Sequence, residues 1–311
     1  MTMLRLKPGF KDYIWGGRRL MTEFQKDFEG ERLAESWELS CYPDCPSTII
    51  NGDYAGHTLS EYIEAEGREV LGKNCANMDE FPILIKFLDT GDRLSVQVHP
   101  NDDYARTHEG QNGKTEMWYI LDAEPGAFIY YGFSRDISRE EFLSRVETQT
   151  LTEVLYPAPV KKGDVLYCPP GTLHGIGKGI LLVEIQQNSN VTYRIDDFGR
   201  PGKDGKPREL HIDRAQDVLH FGPAPTNHDF APHLGYCPYF TVDRAAVTEE
   251  APFKGTVDEK SFLSILCVNG RGVLKCGQEE MAVKKGDSIF LPAGAGDYVL
   301  EGALEAILTT V

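Results

Sequence analysis

The chain has 311 residues, of which 48 are acidic and 32 basic, giving a formal net charge of −16, and 41% of its side chains are apolar. At about 100–200 residues per domain, this length predicts about two domains with a substantial buried core. The acidic excess argues against a nucleic acid or an anionic membrane as partner, because both are attracted by clusters of basic residues.

The beginning of the chain, MTMLRLKPGF, has no apolar run after its basic residues, and no stretch approaches the roughly eighteen apolar residues of a spanning helix. We therefore expect a soluble cytoplasmic protein. Seven cysteines, an odd number at irregular spacing, predict reduced thiols. A zinc knuckle at Cys41 and Cys45 is disfavoured because no second pair at suitable spacing completes four thiolate ligands.

Most segments are short, apolar and bounded by Gly, Pro, Asn or Asp, which is the pattern of strands and turns. Helical patterns are fewer and occur at 58–72 and 138–155, each opening with a Thr or Ser cap followed by Glu. The proline-rich stretch at 221–233 indicates a linker, so we place a domain boundary near residue 235. The sequence thus predicts a mainly β protein.

The stretch LSVQVHPND, residues 94–102, has the pattern of a strand that ends at a proline. Side chains two residues apart in a strand point to the same side, so Gln97 and His99 project together while Val96 and Val98 face the other way. Two polar side chains therefore face one space.

An internal repeat is the most informative feature of the chain. The sequence VKKGDVLYCPPGTLHGI at 160–176 returns as VKKGDSIFLPAGAGDYV at 283–299, a constant offset of 123 residues. In each copy Gly-Asp predicts a turn, the next residues alternate as a strand, and a proline ends that strand. Two copies of one β-barrel explain this pattern. Because His174 of the first copy corresponds to Asp297 of the second, we expect the chemistry in the first copy only.

Four polar side chains of the first predicted barrel indicate a metal site. Gln97 and His99 share a strand, Glu116 begins the strand EMWYIL, and His174 follows CPPGTL. These oxygen and nitrogen ligands suit one borderline divalent ion per chain, such as Zn²⁺, and are compatible with other divalent ions. One carboxylate among neutral ligands leaves a net charge of about +1, which makes a good Lewis acid for a carbonyl or an enediolate.

Six stretches spread over most of the chain form a specific combination: YIWGG, AESWELS, FPILIKFLDTGDRLSVQVHP, GKTEMWYIL, PPGTLHGIGKG and LLVEIQQNSNVTYRIDDFGR. Together they resemble the type I mannose-6-phosphate isomerase family in its short bacterial form, which belongs to the cupin superfamily. The resemblance implies two cupin-type, jelly-roll β-barrels with a few short helices packed on the N-terminal one. We expect residues 1–235 to form the catalytic, metal-binding domain and 236–311 a cupin-like barrel that lacks metal ligands.

The resemblance implies that the four polar side chains named above are zinc ligands. It also implies an active-site arginine, with a lysine and a serine that lie with it around the substrate phosphate: Arg194, Lys86 and Ser95. Ser95 shares a strand face with Gln97, and Lys86 lies within ILIKFL, where an unpaired lysine would be costly. No GxxxxGK[ST] loop is present, so phosphate capture relies on side chains, to which an arginine adds bidentate contacts.

The implied reaction is the metal-dependent, reversible isomerisation of mannose 6-phosphate and fructose 6-phosphate through an enediol. Two residues compete as the base. Lys114 lies two residues from Glu116, so a bound cation would favour its neutral form, whereas Glu184 is a carboxylate in an apolar strand.

The alternatives are a non-catalytic, sugar-phosphate-binding regulatory cupin and a metal-dependent cupin oxygenase. The only partner that we expect is the hexose 6-phosphate, and both a monomer and a homodimer remain open.

Overall fold

The computed structural model describes residues 3–202, 204–225 and 228–311. Strands predominate in these ranges, which confirms the mainly β architecture expected from the sequence. None of the helices within them is long and apolar enough to cross a membrane. The helices are α1 (Arg19–Thr22), α2 (Leu59–Glu66), α3 (Asp102–Glu109), α4 (Arg139–Glu147) and α5 (Ile212–Val218), with 3₁₀ turns at Arg68–Leu71, Lys73–Cys75 and Leu151–Val154.

The strands are mostly short, and only the last part of the chain contains long ones. Those before residue 200 are β1 (Leu4–Lys7), β2 (Gly9–Lys11), β3 (Glu35–Leu39), β4 (Thr48–Ile49), β5 (Ile83–Asp89), β6 (Val96–Val98), β7 (Glu116–Ala123), β8 (Phe128–Phe133), β9 (Leu155–Pro159), β10 (Val165–Cys168), β11 (His174–Ile176), β12 (Ile180–Gln187) and β13 (Tyr193–Asp196). Those after it are β14 (Gly235–Cys237), β15 (Phe240–Val247), β16 (Phe253–Val257), β17 (Leu263–Cys276), β18 (Glu279–Lys284), β19 (Ser288–Leu291) and β20 (Gly296–Thr310).

Helices α2 and α4 begin at the capping residues predicted from the sequence. Thr58 accepts a hydrogen bond from the amide of Glu61, whose carboxylate accepts one from the amide of Thr58. Ser138 caps α4 in the same way by accepting a bond from the amide of Glu141. Both helices are shorter than the patterns that predicted them. Helix α2 stops at Gly67, whose φ of +92° is readily adopted only by glycine. The later residues of both predicted helical stretches form 3₁₀ turns instead.

Three antiparallel sheets form the body of the molecule. The strand order is β13-β6-β11-β8-β9 in a five-stranded sheet and β10-β7-β12-β5-β3-β2 in a six-stranded sheet. A nine-stranded sheet has the order β14-β15-β20-β17-β19-β1-β4, with β16 beside β20 and β18 beside β17. Each sheet is open over the described ranges; the five- and six-stranded sheets pack face to face, and a separate core within the nine-stranded sheet corresponds to the second expected barrel.

The six-stranded sheet is the middle layer. One core cluster joins it to the five-stranded sheet through Trp118, Leu182 and Ile129. Another joins its opposite face to the nine-stranded sheet through Phe87 and Phe290. Strand β12, with the sequence ILLVEIQQ, is buried along its whole length because both of its faces are covered.

The two copies of the repeat form the same turn. In the first copy the amide of Lys161 donates to the carboxylate of Asp164 over 2.8 Å, and in the second the amide of Lys284 donates to Asp287 over 3.0 Å. The intervening glycine has φ near +90° in both. The strands that follow, β10 and β19, lie in the six- and nine-stranded sheets. The repeat therefore marks equivalent elements of two separate sheets.

Hydrogen bonding crosses the position at which we divided the chain into two domains. Strand β1 pairs with β19, with Leu4 opposite Phe290, and β4 continues the same sheet beyond β1. The division at 235 and 236 stays a prediction. The nine-stranded sheet, however, contains strands from both ends of the chain.

Candidate metal centre

The four sequence-predicted metal ligands lie close together between the five- and six-stranded sheets. His99 follows β6, Glu116 begins β7 and His174 begins β11, and their ligand atoms all lie within 4.8 Å of one another. Gln97 stands directly opposite His174 in the ladder between β6 and β11. The other three side chains are buried, whereas Gln97 is partly exposed. Residues from three strands thus form one cluster.

Both imidazole rings direct the same nitrogen towards the cluster. His99 Nδ1 lies 2.8 Å from the carbonyl oxygen of Val191, and His174 Nδ1 lies 2.9 Å from that of Thr172. Because a carbonyl oxygen only accepts, each ring carries its proton on Nδ1 and presents the lone pair of Nε2 to the cluster. Burial lowers the pKa of His174 to about 4, and burial together with Lys114 lowers the pKa of His99. Both rings are therefore neutral at neutral pH, as metal binding requires.

The carboxylate of Glu116 is the negative centre of the cluster. Its Oε1 lies 3.2 Å from His174 Nε2 and 3.6 Å from His99 Nε2, and its Oε2 lies 2.7 Å from Lys114 Nζ. Burial opposes ionisation, but the ammonium of Lys114 outweighs it and holds the pKa of Glu116 well below its usual range. Both oxygens are buried, and no described residue donates a hydrogen bond of good geometry to them. A buried, ionised carboxylate whose capacity to accept hydrogen bonds is not filled fits a cation.

Gln97 fits the same site through its amide oxygen. Its Nε2 lies 3.3 Å from His174 Nε2, and its Oε1 accepts a hydrogen bond of 3.3 Å from Ser95 Oγ. A cation binds an amide through oxygen, so metal binding requires this amide to turn over. Two imidazole nitrogens, a carboxylate and an amide oxygen are then a suitable donor set for Zn²⁺ or another borderline divalent ion.

A row of alternating charges extends from Glu116 across the inner face of the six-stranded sheet. Lys114 Nζ lies 3.9 Å from Glu184 Oε1, and Lys86 Nζ lies 3.1 Å from the same oxygen and 3.5 Å from Glu35 Oε2. All five side chains are buried. Burial opposes the charge of Glu184, but the two ammonium groups outweigh it and lower the pKa of Glu184. Lys86 therefore balances two carboxylates in this structure.

Three residues of this site were not predicted from the sequence: Glu35, Trp37 and Trp118. The indole of Trp37 donates to Glu35 over 2.7 Å and lies beneath the Lys86 ammonium, 4.9 Å from it. The indole of Trp118 donates to Glu184 over 3.0 Å. The sequence does contain a pattern that places them: Glu35 and Trp37 are two residues apart in AESWELS, and Trp118 follows Glu116 by two residues, so each pair shares a strand face. The same two-residue spacing places Gln97 and His99 on one strand face.

Arg194 lies apart from the charge row. It stands opposite Gln97 in the ladder between β13 and β6, and its guanidinium donates 2.9 Å to the carbonyl oxygen of Glu209. Its Nε is buried and has no hydrogen-bond partner among the described residues. Within the described ranges no hydrogen bond or ion pair joins Arg194 to Lys86 or Ser95. The structure therefore brings Ser95 to Gln97 but leaves the three residues expected around the phosphate without direct contact.

The second copy of the repeat has a different environment. Asp297, at the position of His174, accepts a hydrogen bond of 2.6 Å from the hydroxyl of Thr256 near the surface. Among the His, Cys, Asp and Glu side chains that the structure describes, the His99–Glu116–His174 group alone has the spacing of a metal site. All seven cysteines are free thiols.

Comparison with known proteins gives a consistent set of relatives. The family model of the phosphomannose isomerase type I catalytic domain matches residues 3–125, and that of the mannose-6-phosphate isomerase cupin domain matches 233–311. Mannose-6-phosphate isomerase ManA of Bacillus subtilis (strain 168) is 40% identical over 98% of both chains. The mannose-6-phosphate isomerase of Streptococcus mutans is 39% identical over 94% of this chain and 93% of its own. The crystal structure of the Bacillus subtilis mannose 6-phosphate isomerase superimposes with a TM-score of 0.90 at 34% identity and covers 100% of both chains.

The stacked sheets and the buried His-Glu-His cluster define a cupin-type protein that can hold a divalent metal ion. The similarity of sequence extends over nearly the whole chain. The chain belongs to the type I mannose-6-phosphate isomerase family.

Proposed function

We propose that this chain catalyses the reversible isomerisation of mannose 6-phosphate and fructose 6-phosphate. The observation that carries the proposal is the buried His99–Glu116–His174 cluster with Lys114 and Glu184 beside it. Aldose–ketose isomerisation needs positive charge where an oxyanion develops and a group that moves a proton between adjacent carbons, and this site offers both. Membership of the family supports the same substrate pair.

We assign one Zn²⁺ per chain to Gln97, His99, Glu116 and His174, and other divalent ions suit the same donors. When bound, the ion supplies positive charge that polarises the sugar carbonyl and stabilises the developing negative charge. Since no thiolate is among these residues, that charge is not quenched.

Lys114 is our first candidate for the group that moves the proton from carbon 2 of the open-chain aldose to carbon 1. Its Nζ lies 3.2 Å from His99 Nε2 and 2.7 Å from Glu116 Oε2, at the edge of the cluster. Glu184 is the second candidate. Because its carboxylate is already bonded by Lys86 and by an indole N–H, we assign it first to orienting Lys114.

We assign the substrate phosphate to Arg194, Ser95 and Lys86. Arg194 has a donor without a partner, and a guanidinium binds a phosphate bidentately. Lys86 shares its charge with Glu184 and Glu35, so a phosphate must compete with these carboxylates for it. Arg194 is therefore expected to contribute most of the phosphate affinity.

The remaining features of the proposal concern the whole chain. Residues 1–235 carry the chemistry and 236–311 support it. The enzyme acts in the cytoplasm as a monomer or a homodimer. The net charge of −16 disfavours nucleic acids and anionic membranes as partners.

A coupled assay tests the proposal by following fructose 6-phosphate formed from mannose 6-phosphate, with and without a chelator. Turnover that the chelator abolishes and added Zn²⁺ restores is the expected result. Metal and substrate binding without turnover would instead indicate a regulatory sugar-phosphate-binding cupin. Oxygen consumption with bound iron would indicate an oxygenase.

A further inference from the structure

The metal-bearing strand continues into two residues whose side chains hold the neighbouring loop. Asn101 caps helix α3 by accepting a hydrogen bond of 3.0 Å from the amide of Tyr104. Asp102 turns back instead, and its Oδ1 accepts a bond of 2.8 Å from the amide of Gly113. The end of LSVQVHPND therefore contacts the segment that leads into Glu116.

Segment 113–116 carries Lys114 and Glu116, and each amide before the glutamate is bonded to a fixed partner. Besides the bond of Gly113, the amide of Lys114 donates a hydrogen bond of 3.0 Å to the carbonyl oxygen of Pro100. The amide of Thr115 donates one of 2.8 Å to Gln187 Oε1. Gly113 packs so closely that an added Cβ would lie 2.4 Å from the carbonyl carbon of Asn101. The segment is thus held against the end of the metal-bearing strand.

Tyr239 connects the nine-stranded sheet to this network. Tyr239 lies in the turn between β14 and β15, and its hydroxyl donates 2.9 Å to Asp102 Oδ2. Gln187 Nε2 donates 2.9 Å to the other oxygen of the same carboxylate. Asp102 therefore links Tyr239 on one side to Gly113 and Gln187 on the other.

We propose that Tyr239 is a positioning residue of the active site. Its hydroxyl fixes Asp102, and Asp102 with Gln187 fixes segment 113–116, so that the second barrel holds Lys114 and Glu116 in place. This gives the C-terminal part of the chain a direct role in the site; its catalytic consequence rests on the isomerase function proposed above, but its structural consequence does not. A carboxylate with charge-assisted bonds is well suited to such a role.

The test compares Tyr239→Phe with Tyr119→Phe in the full-length protein. Tyr119 also donates from its hydroxyl to a carboxylate across the same layers, over 2.7 Å to Glu305, but it has no bond to Asp102. Three measurements are made on both variants: hydrogen exchange of segment 113–116, the dissociation constant for Zn²⁺ by competition with a chelator, and turnover. The first two do not depend on isomerase activity.

In Tyr239→Phe we expect segment 113–116 to exchange at least about ten-fold faster and the Zn²⁺ dissociation constant to rise about ten-fold, with kcat reduced more than KM is raised. Tyr119→Phe should leave all three close to wild type. Adding Tyr239→Phe to Asp102→Asn should change little further, because both act through one carboxylate.

Unchanged exchange and zinc affinity in Tyr239→Phe would overturn the positioning role, and so would equal effects in the two single variants. If the wild type proved inactive while the exchange and zinc results held, the isomerase proposal would fail and the positioning of the segment would stand.

Discussion

Replacing Lys114 with methionine tests whether the Glu116 carboxylate is shared between this lysine and a metal ion. Lys114 Nζ lies 2.7 Å from Glu116 Oε2, and the side chains are 6% and 0% exposed. Methionine keeps much of the length and the apolar body of the side chain but removes its charge. The substitution therefore isolates the ion pair.

The expected loss of stability depends on whether metal is bound. In the metal-free protein Glu116 loses its main cationic partner, and removing one member of a buried pair costs about 3–5 kcal/mol. In the loaded protein the ion compensates the carboxylate, and its repulsion with the lysine disappears, so the loss should be at most about 1 kcal/mol. Zinc should thus stabilise Lys114→Met by about 2–4 kcal/mol more than it stabilises the wild type.

Lys26→Met is a matched control. Lys26 Nζ lies 2.7 Å from Glu38 Oε1, and its pair has the same exposures of 6% and 0%. Within the described ranges this pair has no contact with the metal cluster. Lys26→Met should therefore lose a similar amount of stability with and without zinc.

Urea unfolding followed by tryptophan fluorescence, in excess zinc or in chelator, measures both variants, and turnover of Lys114→Met should fall at least about 100-fold. An equal loss of stability in the two conditions would refute the reasoning, because Glu116 would then not be the carboxylate that the ion and the lysine share.

Three further substitutions probe the rest of the site. Glu184→Gln should lower turnover at least about 100-fold while the zinc content per chain, measured by elemental analysis, stays unchanged; normal turnover would remove Glu184 from the catalytic group. Arg194→Lys keeps the charge but loses the bidentate geometry, so the KM for mannose 6-phosphate should rise about ten-fold with little change in kcat. An unaltered KM would contradict the phosphate assignment. Gly113→Ala places a Cβ 2.4 Å from a backbone carbon, so thermal unfolding should show a loss of about 1–3 kcal/mol. A wild-type midpoint would contradict the close approach.

The parts of the fold that follow from local pattern could be predicted. Alternation placed Gln97 and His99 on one face, and the caps at Thr58 and Ser138 fixed where α2 and α4 begin. The repeat located two equivalent turns with the same bond between a backbone amide and an aspartate. Each of these features depends on residues a few positions apart, which is the range over which sequence periodicity is informative.

The parts that depend on strand partners could not be predicted in the same way. Periodicity shows that Glu184 and Trp118 each face one side of a strand, but not that β12 lies between β5 and β7 and so brings them together. Nor does it show that β1 pairs with β19. Register between distant strands is set by the packing of whole layers, and a single sequence contains no direct measure of it.

The pairing of β1 with β19 has a consequence for how the protein is made. All the strands that carry the metal ligands lie between β1 and β19 in the chain, so β1 leaves the exit tunnel long before its partner is made. Until then Phe87 and its neighbours on the outer side of the middle layer have no cover, since Phe290 and the sheet around it complete that core. The layer that carries Glu116 therefore completes its core only after β19 has been made.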